Sequence, residues 1–128
     1  MRFVNGVIIS FFFLFFGLHL PENSLAEAQI HVETPILFVI TGQTGDCLTW
    51  DTACDLQTAL NIAQSGDQIW VASGTYYPTD DGDRAAFFAM KSGVAIYGGF
   101  AGNETALSQR DWDANPVTLS GDIGEAAN

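Results

Sequence analysis

The chain has 128 residues, with 15 acidic side chains against 4 basic ones and a formal net charge of −11 at neutral pH. A surface of that sign repels phosphate backbones, which excludes nucleic acid as a natural partner. Its two cysteines, with no histidine nearby, do not complete a four-ligand zinc site.

The first 28 residues stand apart from the rest. Met1 and Arg2 give a short positive start, Val7 to Leu20 is almost wholly apolar with FFFLFF at 11–16, and Pro21 breaks the run. Ala26-Glu27-Ala28 then supplies an A-x-A cleavage site, with Ser24-Leu25-Ala26 a close second. Charged start, apolar run and small-residue exit are the three parts of a secretory signal peptide. A membrane-spanning anchor would need ~20 apolar residues. This run is shorter and is followed by Pro21 and Glu22, so no stable transmembrane anchor is expected after cleavage. The expected product, residues 29–128, carries three bases (Arg84, Lys91, Arg110) and is secreted or held at the cell surface. Its acidity is explained by solubility outside the cell. Divalent-cation binding is the functional alternative, although no acid cluster has a full ligand spacing. One hundred residues can bury one core.

In chain order, Gln29 to Pro35 is a polar lead-in holding an isolated His31. Ile36 to Ile40 is a short, branched apolar run ended by Thr41-Gly42, and is expected to be a buried strand. Gly42 to Ala53 is a loop in which Trp50 is expected to pack rather than to bind. Cys47 and Cys54 are the disulfide candidates, since an exported chain meets an oxidising compartment. Their short loop would contribute at most ~3 kcal/mol by chain entropy. A pair of free, buried thiols is the alternative.

Asp55 can cap a helix of about ten residues, because its carboxylate can accept from the first free backbone N–H groups. Leu56, Ala59, Leu60 and Ala63 fall on one face of it, and Gln57, Thr58, Asn61 and Gln64 on the other. Ser65-Gly66-Asp67 ends it, and Gln68 to Ala72 follows as a strand, Ile69 and Val71 pointing one way and Trp70 and Ala72 the other. Tyr76-Tyr77-Pro78 leads away from that strand into an acidic turn, TDDGDR at 79–84. Phe87 to Met90 is apolar, and Val94 to Tyr97 is a strand closed by Gly98-Gly99. A helical turn is expected around Ser108 to Trp112 and a last strand at Val117 to Leu119.

Ile69-x-Val71, Val94-x-Ile96 and Val117-x-Leu119 each follow a turn and precede glycine, with starts 25 and 23 residues apart. A period in the twenties is the signature of a solenoid, and short branched strands with glycine corners favour a β-solenoid. A small β-sandwich with similar strands is the competing reading.

The run from Asp55 to Tyr77, KSGVAIYGGFAGNET at 91–105, QRDW at 109–112 and TLSGDIG at 118–124 resembles the N-terminal portion of bacterial exported right-handed parallel β-helix proteins of the pectin-lyase-like superfamily. The resemblance spans roughly Ile36 to Gly124. It implies an all-β solenoid whose Asp55 helix caps the first rung and hides a sheet edge. It implies a large surface or secreted protein, structural or binding in role, with polysaccharide or other cell-surface components as partners. Some relatives bind or cleave acidic polysaccharides, so the alternative is the start of a polysaccharide lyase or glycoside hydrolase. Such proteins continue for many rungs, and a chain that stops at Asn128 with about three is expected to be a truncated product or a fragment.

No catalytic residue is singled out by sequence. Asp80, Asp81 and Asp83 around Gly82 are the Ca²⁺ candidates by residue type. They lack the distant Glu of an EF-hand loop and the glycine-rich nonapeptide of calcium-binding β-rolls, and a solvated turn explains them as well. A lyase would use an acidic cluster with a basic residue such as Arg84, Lys91 or Arg110, and no family catalytic motif matches these positions. A hydrolase would need two carboxylates across a groove, which abundant acids do not let sequence select. Gly98 to Gly102 lacks the spacing of a nucleotide loop.

Overall fold

The computed structural model describes residues 33–123. The expected signal peptide at 1–28 and His31 lie outside the described residues. The elements are β1 (Ile36–Val39), α1 (Leu56–Ile62), β2 (Gln68–Ala72), β3 (Gly74–Tyr76), β4 (Ala95–Phe100), a 3-10 turn at Leu107–Gln109, and β5 (Val117–Leu119).

Every ladder between these strands is parallel. One sheet has the order β1-β2-β4, with Leu37 opposite Ile69 and Ile69 opposite Ile96. A second, two-stranded sheet pairs β3 with β5, Gly74 opposite Val117 and Tyr76 opposite Leu119. In each sheet the spatial order of the strands follows the chain order.

The faces of the first sheet follow the alternation read from sequence. Leu37, Val39, Ile69 and Val71 enter the main core with Leu56, Ala59, Leu60, Ala63 and the buried cysteines. Phe38, Trp70 and Phe100 lie on the opposite face. There the Trp70 and Phe100 rings stack 4.7 Å apart at 7°, and Phe38 meets Trp70 edge-on at 5.8 Å. Trp50 closes over this second face, 4.8 Å from Phe38 and 5.7 Å from Phe100, and its Nε1–H donates to the Glu104 carbonyl at 2.9 Å. It is a packing residue, joining the early loop to a loop more than fifty positions on.

Helix α1 forms for the reasons its sequence carries. Asp55 is its N-cap, with one carboxylate oxygen accepting from the Thr58 amide and the other from the Thr58 hydroxyl. Seven helical residues are too few to stand alone, and burial of Leu56, Ala59 and Leu60 holds them. The helix is shorter than expected because Ala63 is already extended, at φ −61° and ψ 146°. Gly66, at φ +102°, serves the following turn, where Asp67 accepts from the Gln64 amide. Lys91 reaches back and donates to the carbonyls of Asn61 and Ala63, adding a cation where the last helix carbonyls point.

Three local expectations are corrected. Gly98 and Gly99 do not turn a corner after β4; they lie inside it, where the register slips by one residue between Trp70–Ala72 and Tyr97–Phe100. The bulge needs glycine twice. Gly99 sits at φ +96° against the backbone of Trp112, and a Cβ on Gly98 would lie 3.1 Å from the Val117 side chain. The three strands aligned as repeats do not superpose in that alignment: Ile69 lies beside Ile96 rather than Val94, and Val117–Leu119 belongs to the second sheet. The helical turn is centred earlier, at Leu107–Gln109, where the Gln109 side-chain oxygen accepts from the amides of Thr105 and Ala106.

Candidate functional site

The residues that precede α1 close one edge of the first sheet. Phe38 donates its amide to the Cys47 carbonyl at 2.8 Å, Ile40 donates to Cys54 at 3.0 Å, and Cys54 donates back to Phe38 at 3.1 Å. Cys47 and Cys54 are joined as a disulfide with both residues fully buried, their Cα atoms 4.8 Å apart. Cys47 takes a left-handed φ of +68°, uncommon for a residue with a Cβ. Gly45 lies directly against the Thr52 carbonyl, leaving no room for a side chain. Asp46 steadies the same loop: hydrogen bonds from the Thr52 hydroxyl and the Leu48 amide hold its carboxyl below the usual range.

Beside this cap lies the cleft that forms the candidate site, a concavity of about 380 Å³. Three separated stretches line it: 41–44, 55–57 and 76–80. Its polar lining residues are Thr41, Gln43, Thr44, Asp55, Gln57, Thr79 and Asp80, of which Asp55 is already engaged as the helix cap and the Thr79 hydroxyl donates to Asp81. Tyr77 contributes a ring that is 46% exposed. No basic side chain lines it. Gln57 Nε2 donates to the carbonyls of Pro78 and Phe87, at 2.9 and 3.0 Å, and so fixes the 76–87 segment against the helix. Tyr76 forms the buried floor. Its hydroxyl donates to the Ala72 carbonyl at 2.7 Å, and burial pushes its pKa up to about 12.

The sequence candidates are dispersed. Asp80 lines the cleft, while Asp81 and Asp83 serve their own turn. Asp81 accepts from the Thr79 hydroxyl and the Asp83 amide, which hold its carboxyl below the usual range, and Asp83 accepts from the Ala85 amide. Among the described residues no three His, Cys, Asp or Glu side chains are grouped to hold a metal ion. Lys91 is at the end of α1, Arg84 borders a second groove, and Arg110 lies over the Tyr97 and Trp112 rings at 5.2 and 5.5 Å. These three bases have separate surroundings and do not form one basic site. In the 101–105 loop, Glu104 is turned inward, accepting from the amides of Ala101, Gly102 and Asn103. Burial alone would raise the Glu104 carboxyl, but donation from the amides of Ala101, Gly102 and Asn103 outweighs it and the pKa falls.

Sequence reasoning missed the cleft itself. Its one visible signal was Tyr76-Tyr77-Pro78 beside an acidic turn, and the approach of the 41–44 and 55–57 stretches is a tertiary event. No helix among the described residues is long and apolar enough to cross a membrane. Comparison with protein-family models, curated proteins and solved structures finds no match to this chain.

Proposed function

We propose that this chain is the N-terminal cap and first rungs of an exported, bacterial right-handed β-helix protein of pectin-lyase-like type, acting at the cell surface as a structural and glycan-binding module. The fold reading is supported by two all-parallel sheets whose strand order follows the chain, with a cap laid along the edge of β1. The export reading is supported by the signal-like residues 1–28 and by a buried disulfide.

The binding role rests on the cleft. Hydroxyls, amides and carboxylates beside an exposed tyrosine ring match the needs of a sugar, which presents many hydroxyl groups and an apolar ring face. Two carboxylates and no cation favour neutral glycans over acidic ones, because an anionic sugar would meet like charge. Isothermal titration with neutral oligosaccharides and with oligogalacturonate tests this. The expected result is binding of a neutral oligosaccharide, loss of it in Tyr77→Ala, and none to oligogalacturonate. Absence of binding to every neutral oligosaccharide would remove the glycan-binding role. Formation of unsaturated uronate products from polygalacturonate, with or without Ca²⁺, would instead establish the lyase alternative.

A further inference from the structure

The hydrogen bonds already made along the cleft narrow the kind of sugar it suits. Gln57 has given both amide protons to the carbonyls of Pro78 and Phe87, so only its Oε1 is left to a ligand, as an acceptor. The Thr79 hydroxyl donates to Asp81, and the Thr41 hydroxyl is directed at the Thr75 carbonyl at 3.4 Å. Both carboxylate oxygens of Asp55 are taken by Thr58. Asp80 differs from these. It is exposed on the lining and has no hydrogen-bond or ionic partner among the described residues. A ligand entering the cleft therefore meets much acceptor capacity, one free carboxylate, the half-exposed Tyr77 ring and no cation.

We propose that the cleft selects amino sugars, taking a hexosamine by its free ammonium group with Asp80 as the counter-charge and Tyr77 beside it. This rests on the glycan reading above and names the class of glycan. An ammonium group has three donors and no acceptor, the complement of what Asp80 and the Gln57 oxygen offer. The tyrosine ring attracts a cation as well as the apolar face of a sugar. The formal charge of −11 on the chain favours the approach of a cationic ligand. A metal ion is a poorer match, because it needs several converging ligands and no three His, Cys, Asp or Glu side chains are grouped among the described residues. Acetylating the amine removes its charge and leaves the rest of the sugar intact, so the acetylated sugar isolates the part played by the ammonium group.

NMR titration with the glucosamine disaccharide and with its fully N-acetylated counterpart tests the proposal, at a pH that keeps the amine protonated. The glucosamine disaccharide is expected to bind about three- to tenfold more tightly, the range of one solvated charge pair with a ring beside it. Shifts are expected at Gln57, Tyr77 and Asp80. Asp80→Asn is expected to abolish the preference and to leave binding of the acetylated sugar unchanged. Asp113→Asn, which removes the same charge from an exposed position outside the cleft, is expected to keep it. Equal affinities for the two sugars would overturn the proposal and leave the glycan reading standing, whereas binding of neither would remove both. A preference that survives Asp80→Asn, or tighter binding of lysyl-lysine than of the glucosamine disaccharide, would also overturn it.

Discussion

At β1 the first sheet is closed by chain: the loop ending at Cys54 pairs along its edge, a disulfide fixes that loop, and α1 covers the core with Leu56, Ala59 and Leu60. At β4 and β5 the same kind of edge carries half-buried Val94, Ile96 and Val117 and an exposed Leu119. The difference teaches where stability and adaptability reside in a stack of parallel strands. Interior strands have neighbours on both sides, so the ends decide whether backbone groups and apolar side chains stay out of water. One end of this molecule is closed by chain, and among the described residues the other carries partly exposed apolar side chains.

The contrast is broken most severely by introducing charge under the cap. Leu60 is fully buried, and Leu60→Asp places a carboxylate there without a partner. The expected loss is several kcal/mol, on the order of total domain stability, and unfolding seen by circular dichroism. A variant as stable as the parent would mean that α1 does not cover the core. Gly45→Ala comes next, because its methyl group collides with the Thr52 carbonyl, and Ala53 O would lie only 2.7 Å away. A loss of about 1–3 kcal/mol in denaturant unfolding is expected, as for other overpacked sites.

Cys47→Ser with Cys54→Ser sharpens the comparison further. Opening so short a loop should lower stability by about 2.5 kcal/mol on the chain-entropy model and lower the melting temperature, while leaving the cross-sheet pairing of β2 with β4 in place.

Alkaline pH acts on the floor of the cleft. Tyr76 ionises at about 12 when folded, against 10.0 for the ordinary side chain. Its contribution is therefore complete below the unfolded value and is lost as pH rises through the folded one. Stability should decline between these values, and Tyr76→Phe should lessen the decline while losing the bond to Ala72. At the acid end the signs reverse. The lowered carboxyls of Asp46 and Glu104 stabilise their loops above the ordinary carboxylate range and lose that effect as pH falls through the depressed values. Asp46 is exposed and Glu104 only partly buried, so solvent screening makes this the smallest of the expected effects.

Parts of this architecture were legible in the residues. Gln68–Ala72 and Val117–Leu119 were visible as strands because branched and aromatic side chains alternate between turn residues. The helix was visible because Asp55 and an i, i+3, i+4 stripe mark its start and its buried face. Gly74–Tyr76 was missed, since three residues that begin with glycine carry no periodicity. The Gly98-Gly99 pair was misplaced because a glycine pair after a strand fits a corner as well as a bulge, and register decides between them. Aligning Val117 with Val94 failed for the same reason: strands of two faces look alike when each has only two apolar positions. Residues far apart in the chain build the cleft, and no local motif marks them.

Residue-resolved hydrogen exchange tests the difference between the two ends most directly. Amides at the closed edge, Phe38, Ile40 and Cys54, are hydrogen-bonded at 2.8–3.1 Å and should be among the slowest to exchange. Ile96, Val117 and Leu119, turned outward at the other end, should exchange orders of magnitude faster. Equal protection at both ends, or slower exchange at Val117 and Leu119 than at Phe38 and Ile40, would contradict it.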